Sequence, residues 1–116
     1  MLFRSNPDAP QAGDERIERD GNTVNVYMTA VRSHFTPEYI RVREGDDVVI
    51  HVTNIEQTRD ELHGLAINDY DINLVIDPGE TKTVTFKADK AGVYAFYCTN
   101  FCSALHQEMQ GYLLVK

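Results

Sequence analysis

From residue 24 onward the chain is written in short runs of alternating or β-branched residues, and this rhythm constrains its fold more than any single position does. The runs fall at 24–31, 39–42, 47–53, 65–67, 73–76, 81–86, 93–97 and 112–115, each of strand length and bounded by turn residues. In the stretch 81–86, Thr81, Thr83 and Thr85 alternate with Lys82, Val84 and Phe86, so one face can pack inward while the other meets water. The connections Arg43-Glu44-Gly45-Asp46, Asp77-Pro78-Gly79-Glu80 and Ala88-Asp89-Lys90-Ala91-Gly92 supply the Gly, Pro and Asp that tight turns use. There is no internal repeat, low-complexity tract or long amphipathic helix. The expectation is an all-β sandwich.

With 116 residues, the chain has the length of one domain, enough to bury roughly two-thirds of its unfolded surface without disulfide staples. Residues 1–21 are rich in Asp, Glu, Arg, Pro and Gly and poor in apolar side chains, the composition of a linker or ordered tail. The folded domain is expected over 22–116. A net charge of −7 argues against nucleic acid, whose phosphates require a basic footprint. It suits a cationic partner, and it serves solubility equally well. No apolar run approaches the ~18–20 residues that span a bilayer, and residues 1–10 lack the apolar core of a signal peptide. The chain reads as soluble, with any export signal lying outside it if it is a mature fragment.

Near the C-terminus the run CTNFCSALHQEM sets Cys98, Cys102, His106 and Met109 at the spacing C-x3-C-x3-H-x2-M. Two thiolates, an imidazole and a thioether make a soft donor set that selects copper over zinc, calcium or magnesium. Structural zinc sites use Cys and His, and thioether sulfur is not among their normal ligands. A disulfide across so short a loop would add little stability and leave the His and Met spacing as coincidence. Cys98 closes one strand-like run and Gly111 opens the next, so the donors lie on the loop joining the last two strands. Ala104, Leu105, Gln107 and Glu108 favour a single helical turn over 103–109.

This pattern resembles the dinuclear CuA copper site, known from the soluble domain of cytochrome c oxidase subunit II and the C-terminal cupredoxin domain of nitrous-oxide reductase. The resemblance runs from about residue 23 to 116 and includes FTPEYIRVREGDDVVIHVTN, DELHGLAI and DPGETKTVTFKADKAGVYAFYC. It implies a cupredoxin-like Greek-key β-sandwich with the metal-binding loop between the last two strands. Carried over residue by residue, Cys98 and Cys102 would bridge two copper ions, and His63 and His106 would be the terminal imidazoles. Met109 would be the axial sulfur, and Asn100 would give a main-chain carbonyl. Bridging thiolates let two coppers share one electron with little change in bond lengths, which suits electron transfer rather than catalysis. Thiolate ligands also imply that metal loading releases protons.

The resemblance is nearer to nitrous-oxide reductase. Oxidase subunits carry glutamate where this chain has Asn100, and have membrane helices ahead of the domain. Many of the reductases instead have tryptophan there, and a histidine where this chain has Ser103. Both departures spare the ligands and bear on any electron-entry or proton-linked role of those side chains. The implied function is electron entry, in the periplasm, for the denitrification step that reduces nitrous oxide to dinitrogen at a copper cluster elsewhere. The implied partners are a cytochrome c or small cupredoxin donor and the catalytic copper-cluster domain, reached across a homodimer. The alternatives are a subunit II domain without its anchor, a copper carrier without relay function, and a structural sandwich with a chance Cys pair.

His34 and His51 lie outside the register of the motif, and ordinary hydrogen-bonded roles are expected for both. His63 gains weight from the His-Gly pair of the resemblance. Asp60 and Glu61 are either carboxylates that orient its imidazole or solvated loop charges. Phe96, Tyr97, Phe101 and Tyr112 flank the loop. Such aromatics can form a docking patch or shield a metal from water, but in a β-sandwich they are more often core. Phe96 is assigned to the core, while Phe101 is left open.

Overall fold

The computed structural model describes residues 8–31, 34–58, 61–99 and 109–116. These form ten strands: β1 (Arg16–Asp20), β2 (Thr23–Val31), β3 (His34–Thr36), β4 (Tyr39–Val42), β5 (Asp47–Asn54), β6 (His63–Ile67), β7 (Ile72–Ile76), β8 (Thr81–Lys87), β9 (Gly92–Tyr97) and β10 (Gln110–Val115). One sheet runs β1-β2-β5-β8, with β3 also paired to β2, and the other runs β4-β10-β9-β6-β7. The chain crosses between them repeatedly, leaving the first sheet for β4, returning for β5, and crossing again around β6–β7 and β8. Two parallel pairings result, β2 with β5 and β10 with β4, since neighbours so distant in sequence are not constrained to meet as hairpins. This is the all-β, cupredoxin-like sandwich that the sequence implies.

Period-two alternation fills the interior. Val24, Val26, Met28 and Ala30 of β2 and Val48, Ile50 and Val52 of β5 face Ile40, Val42, Leu65, Ile67, Phe96, Leu113 and Val115 of the other sheet, all buried. Burying each large apolar side chain is worth roughly 1.5–3 kcal/mol. Phe35 and Phe96 meet edge-to-face across the interior at 5.5 Å, the geometry their quadrupoles favour. The turns follow their residues. Glu80 donates to the Asp77 carbonyl at 2.9 Å and Gly79 holds φ 82°, as a Pro-Gly turn requires.

Two strands arise where the sequence shows no apolar alternation. β1 lies in the stretch 1–21 and is exposed throughout. It forms because β2 offers an open edge, and because Arg19 makes a two-pronged contact with Asp46 at 2.6 and 3.0 Å. β3 is three residues long, anchored by buried Phe35. Among the described residues no helix is long and apolar enough to cross a membrane.

Candidate metal centre

β9 and β10 run antiparallel with Tyr97 opposite Gln110 and Phe96 opposite Gly111, so the chain between them leaves and returns at one end of the sandwich. The Cys98 N–H donates to the Met109 carbonyl at 3.0 Å, which pins the two sides of this loop together at its base. Cys98 and Met109, the first and last donors of the sequence motif, are each 1% exposed. β6 starts at this same end. His63 opens it and is completely buried, and Ala66 pairs with Tyr97. Separate segments therefore deliver an imidazole and a thiol sulfur to one place.

The geometry there is specific. His63 Nδ1 faces Cys98 Sγ at 3.9 Å, and His63 Nε2 lies 2.8 Å from Glu56 Oε2. In the neutral ring protonated on Nε2, the Nε2–H donates a hydrogen bond to the carboxylate, which leaves the Nδ1 lone pair directed at the sulfur. The Gly64 N–H donates to Cys98 Sγ at 3.4 Å. Glu56 is placed by Asn54, a buried residue at the end of β5. The Asn54 amide nitrogen donates to the carbonyls of Glu61 and Ile76 at 2.8 and 2.9 Å, and its carbonyl oxygen accepts from the Glu56 N–H at 2.9 Å. Burial pushes the pKa of His63 down, but its contacts with Cys98 and Glu56 outweigh this and hold it above the usual histidine value.

The donors fit a soft metal ion. Zinc, for comparison, makes bonds of roughly 2.0–2.3 Å to nitrogen and sulfur, so two such donors 3.9 Å apart can both reach one ion. The carboxylate on the far ring nitrogen is the usual outer partner of a metal-binding imidazole. Cys102, His106 and the Asn100 carbonyl lie outside the described residues, as do Phe101, Ser103 and most of the helical turn expected over 103–109. Among the described residues no group of three or more His, Cys, Asp or Glu could hold a metal ion.

The remaining histidines sit elsewhere. His51 is in mid-strand, bonded to Thr83 Oγ1 at 3.0 Å and Asn25 Oδ1 at 3.2 Å. His34 is exposed at the start of β3, 3.8 Å from Glu38. Of the two carboxylates considered for orienting His63, Asp60 is outside the described residues, and Glu61 has a buried carboxylate oxygen with no hydrogen-bond partner among the described residues. The partner is Glu56, which sequence reasoning missed. Nothing in its spacing separates it from the other acidic residues of that loop. Phe96 is core, while Tyr97 and Tyr112 are half-buried, and Tyr112 stacks on the exposed Tyr39 at 6.0 Å.

Comparison with known proteins agrees with the fold. A cupredoxin-like domain family model matches residues 6–115. Nitrous-oxide reductase of Stutzerimonas stutzeri is 41% identical over 103 residues, which make up 89% of this chain and 16% of that protein. Cytochrome c oxidase subunit 2 of Thermus thermophilus is 30% identical over 100 residues, 86% of this chain and 71% of that one. Among solved structures, a chain of a heme-copper terminal oxidase dimer superposes with a TM-score of 0.74 at 24% identity, over 99% of this chain and 76% of that one.

Proposed function

The chain belongs to the cupredoxin-like domain family, and from that premise we propose that it is an electron-transfer module built around a dinuclear copper centre. The observation that carries the reading is the pairing of His63 Nδ1 with Cys98 Sγ, both buried, at the base of a loop whose sequence adds Cys102, His106 and Met109. His63 and His106 would hold the copper through their imidazoles, Cys98 and Cys102 through their thiolates, Met109 through its thioether, and Asn100 through its main-chain carbonyl. Two copper ions held by that set would supply a one-electron redox couple. The protein's own contribution is rigidity and dryness. Glu56 holds the His63 ring in one orientation, and the sheet end keeps His63, Cys98 and Met109 from water. Fixed donors in a low-dielectric setting reorganise little when an electron arrives.

The parent reaction is the reduction of nitrous oxide to dinitrogen. The chain spans 16% of the reductases that it matches at about 41% identity, so turnover is assigned to a catalytic copper-cluster domain elsewhere, reached across a homodimer. The compartment is the periplasm. The net charge of −7 favours a basic electron donor such as a cytochrome c, with a small cupredoxin as the alternative. A second reading, the copper domain of an oxidase subunit 2, is favoured by coverage of 71% of that protein at 30% identity. The test is electron paramagnetic resonance of the copper-loaded chain with copper counted per protein. Two coppers and a seven-line hyperfine pattern are expected. One copper with a four-line pattern, or no bound copper, overturns the dinuclear assignment.

A further inference from the structure

The ladder between β6 and β9 stops where the metal centre begins. Ala66 pairs with Tyr97, and continuing the same antiparallel register two residues further sets Gly64 opposite Thr99. Among the described residues the ladder has only the Ala66–Tyr97 pair, and the Gly64 N–H is given to Cys98 Sγ at 3.4 Å. A sulfur stands where a backbone carbonyl would continue the sheet. Gly64 is also tightly enclosed. A Cβ at this position would collide with Thr99 Oγ1, and would lie 3.1 Å from the Thr99 nitrogen and 3.2 Å from the Leu74 carbonyl oxygen. Its backbone torsion is not in the left-handed region, so the need for glycine here comes from space rather than conformation.

We propose that Gly64 is a positioning residue of the copper centre: its missing side chain lets the Cys98-Thr99 segment close onto the His63-Gly64 segment. Both adjacent pairs carry one donor and one packing residue, so a single close approach sets the His63–Cys98 separation and brings an amide to the sulfur. This rests on the copper reading above. Hydrogen bonding around a copper-bound cysteine sulfur tunes the metal's potential, and supporting contacts of this kind typically change metal retention by about 10–100-fold. Thr99 is the other half of the device, because its hydroxyl is the first atom that a side chain at position 64 would strike.

The experiment compares the wild-type chain with Gly64→Ala, Thr99→Ala and the double variant. Two properties are read: the rate at which a copper(I) chelator strips the loaded protein, and the rate of Cys98 alkylation by iodoacetamide in the metal-free protein, resolved by peptide mapping. Gly64→Ala is expected to speed copper loss by about 10–100-fold and to expose Cys98 to alkylation. Thr99→Ala alone should change little, and the double variant should recover most of both losses. Recovery of folding in the double variant, should Gly64→Ala not fold, counts for the proposal. Wild-type behaviour of Gly64→Ala in both assays, failure of Thr99→Ala to restore either, or loss of the fold in both variants would overturn it. Failure of the wild-type chain to hold copper would sink the functional reading alone, because the alkylation comparison still decides whether Gly64 holds Cys98 in place.

Discussion

The middle of the first sheet and the end of the second each bury a histidine, and the two are opposites in everything except burial. His51 is 6% exposed and His63 is 0% exposed. His51 sits within β5, paired on one side with Tyr27 and on the other with Thr83. Its ring stacks on Tyr27 at 5.0 Å and 18°, and Tyr27 is covered in turn by the Arg16 guanidinium at 3.8 Å. Both of its ring nitrogens meet neutral partners. His63 instead opens a strand, and its nitrogens meet a carboxylate and a sulfur. Their pKa values move apart accordingly. Burial pushes His51 down, with Asp8 opposing and Arg16 assisting, while the Cys98 and Glu56 contacts carry His63 up against burial. A buried histidine becomes a candidate ligand through where its strand ends and which atoms meet the ring.

The largest expected effect breaks the support under the His63 end. Phe96 precedes Tyr97 and Cys98 and packs on Phe35 of the opposite sheet. Phe96→Ala should cost about 3–5 kcal/mol of stability, measured by denaturant unfolding of the metal-free chain. A cost under about 1 kcal/mol would mean that this aromatic pair does not join the sheets.

A mid-sized effect isolates the carboxylate. Glu56→Ala should weaken copper retention by about 10–100-fold while leaving the metal-free fold largely intact. His51→Gln, by contrast, should leave copper retention unchanged. If both variants behaved alike in a chelator assay, the distinction between the two histidines would fail.

The smallest effect is on pH dependence. The pKa of His51 in the folded chain lies below the ordinary value of 6.5, so the unfolded chain takes up this proton first as pH falls. The His51 contribution to stability is therefore full above pH 6.5 and declines as pH falls toward the folded pKa. Below that it levels off. His51→Gln should flatten this part of the profile in metal-free protein, with a stability cost of about 1 kcal/mol for a lost hydrogen bond. Asp46 does not obscure the window. Arg19 holds its carboxyl below the ordinary 3.8, so its contribution is present above that value and is lost at more acid pH. A profile identical to wild type between pH 5 and 7 would show that His51 is not the group responsible.

Much of the fold was legible because period-two burial is written directly into residue order. The run 39–42 is β4 itself, and 47–53 falls one residue short of β5. β1 was not legible as a strand because RIERD is exposed on both faces, so no alternation marks it and only pairing with β2 creates it. The run 65–67 stops short of β6, which begins at His63. Strand propensity does not register a buried histidine whose partners come from 7 and 35 residues away.

The sequence alone determined which candidate donor side chains are present, their spacing and the all-β class, because side-chain chemistry and strand alternation are local properties of residues. Only the tertiary structure decided that Glu56 rather than Glu61 meets His63, that the Gly64 amide points at Cys98, and that His51 is packed away in mid-sheet. Those outcomes depend on where two sheets bring distant backbone segments within hydrogen-bond reach, and no one-dimensional pattern encodes that distance.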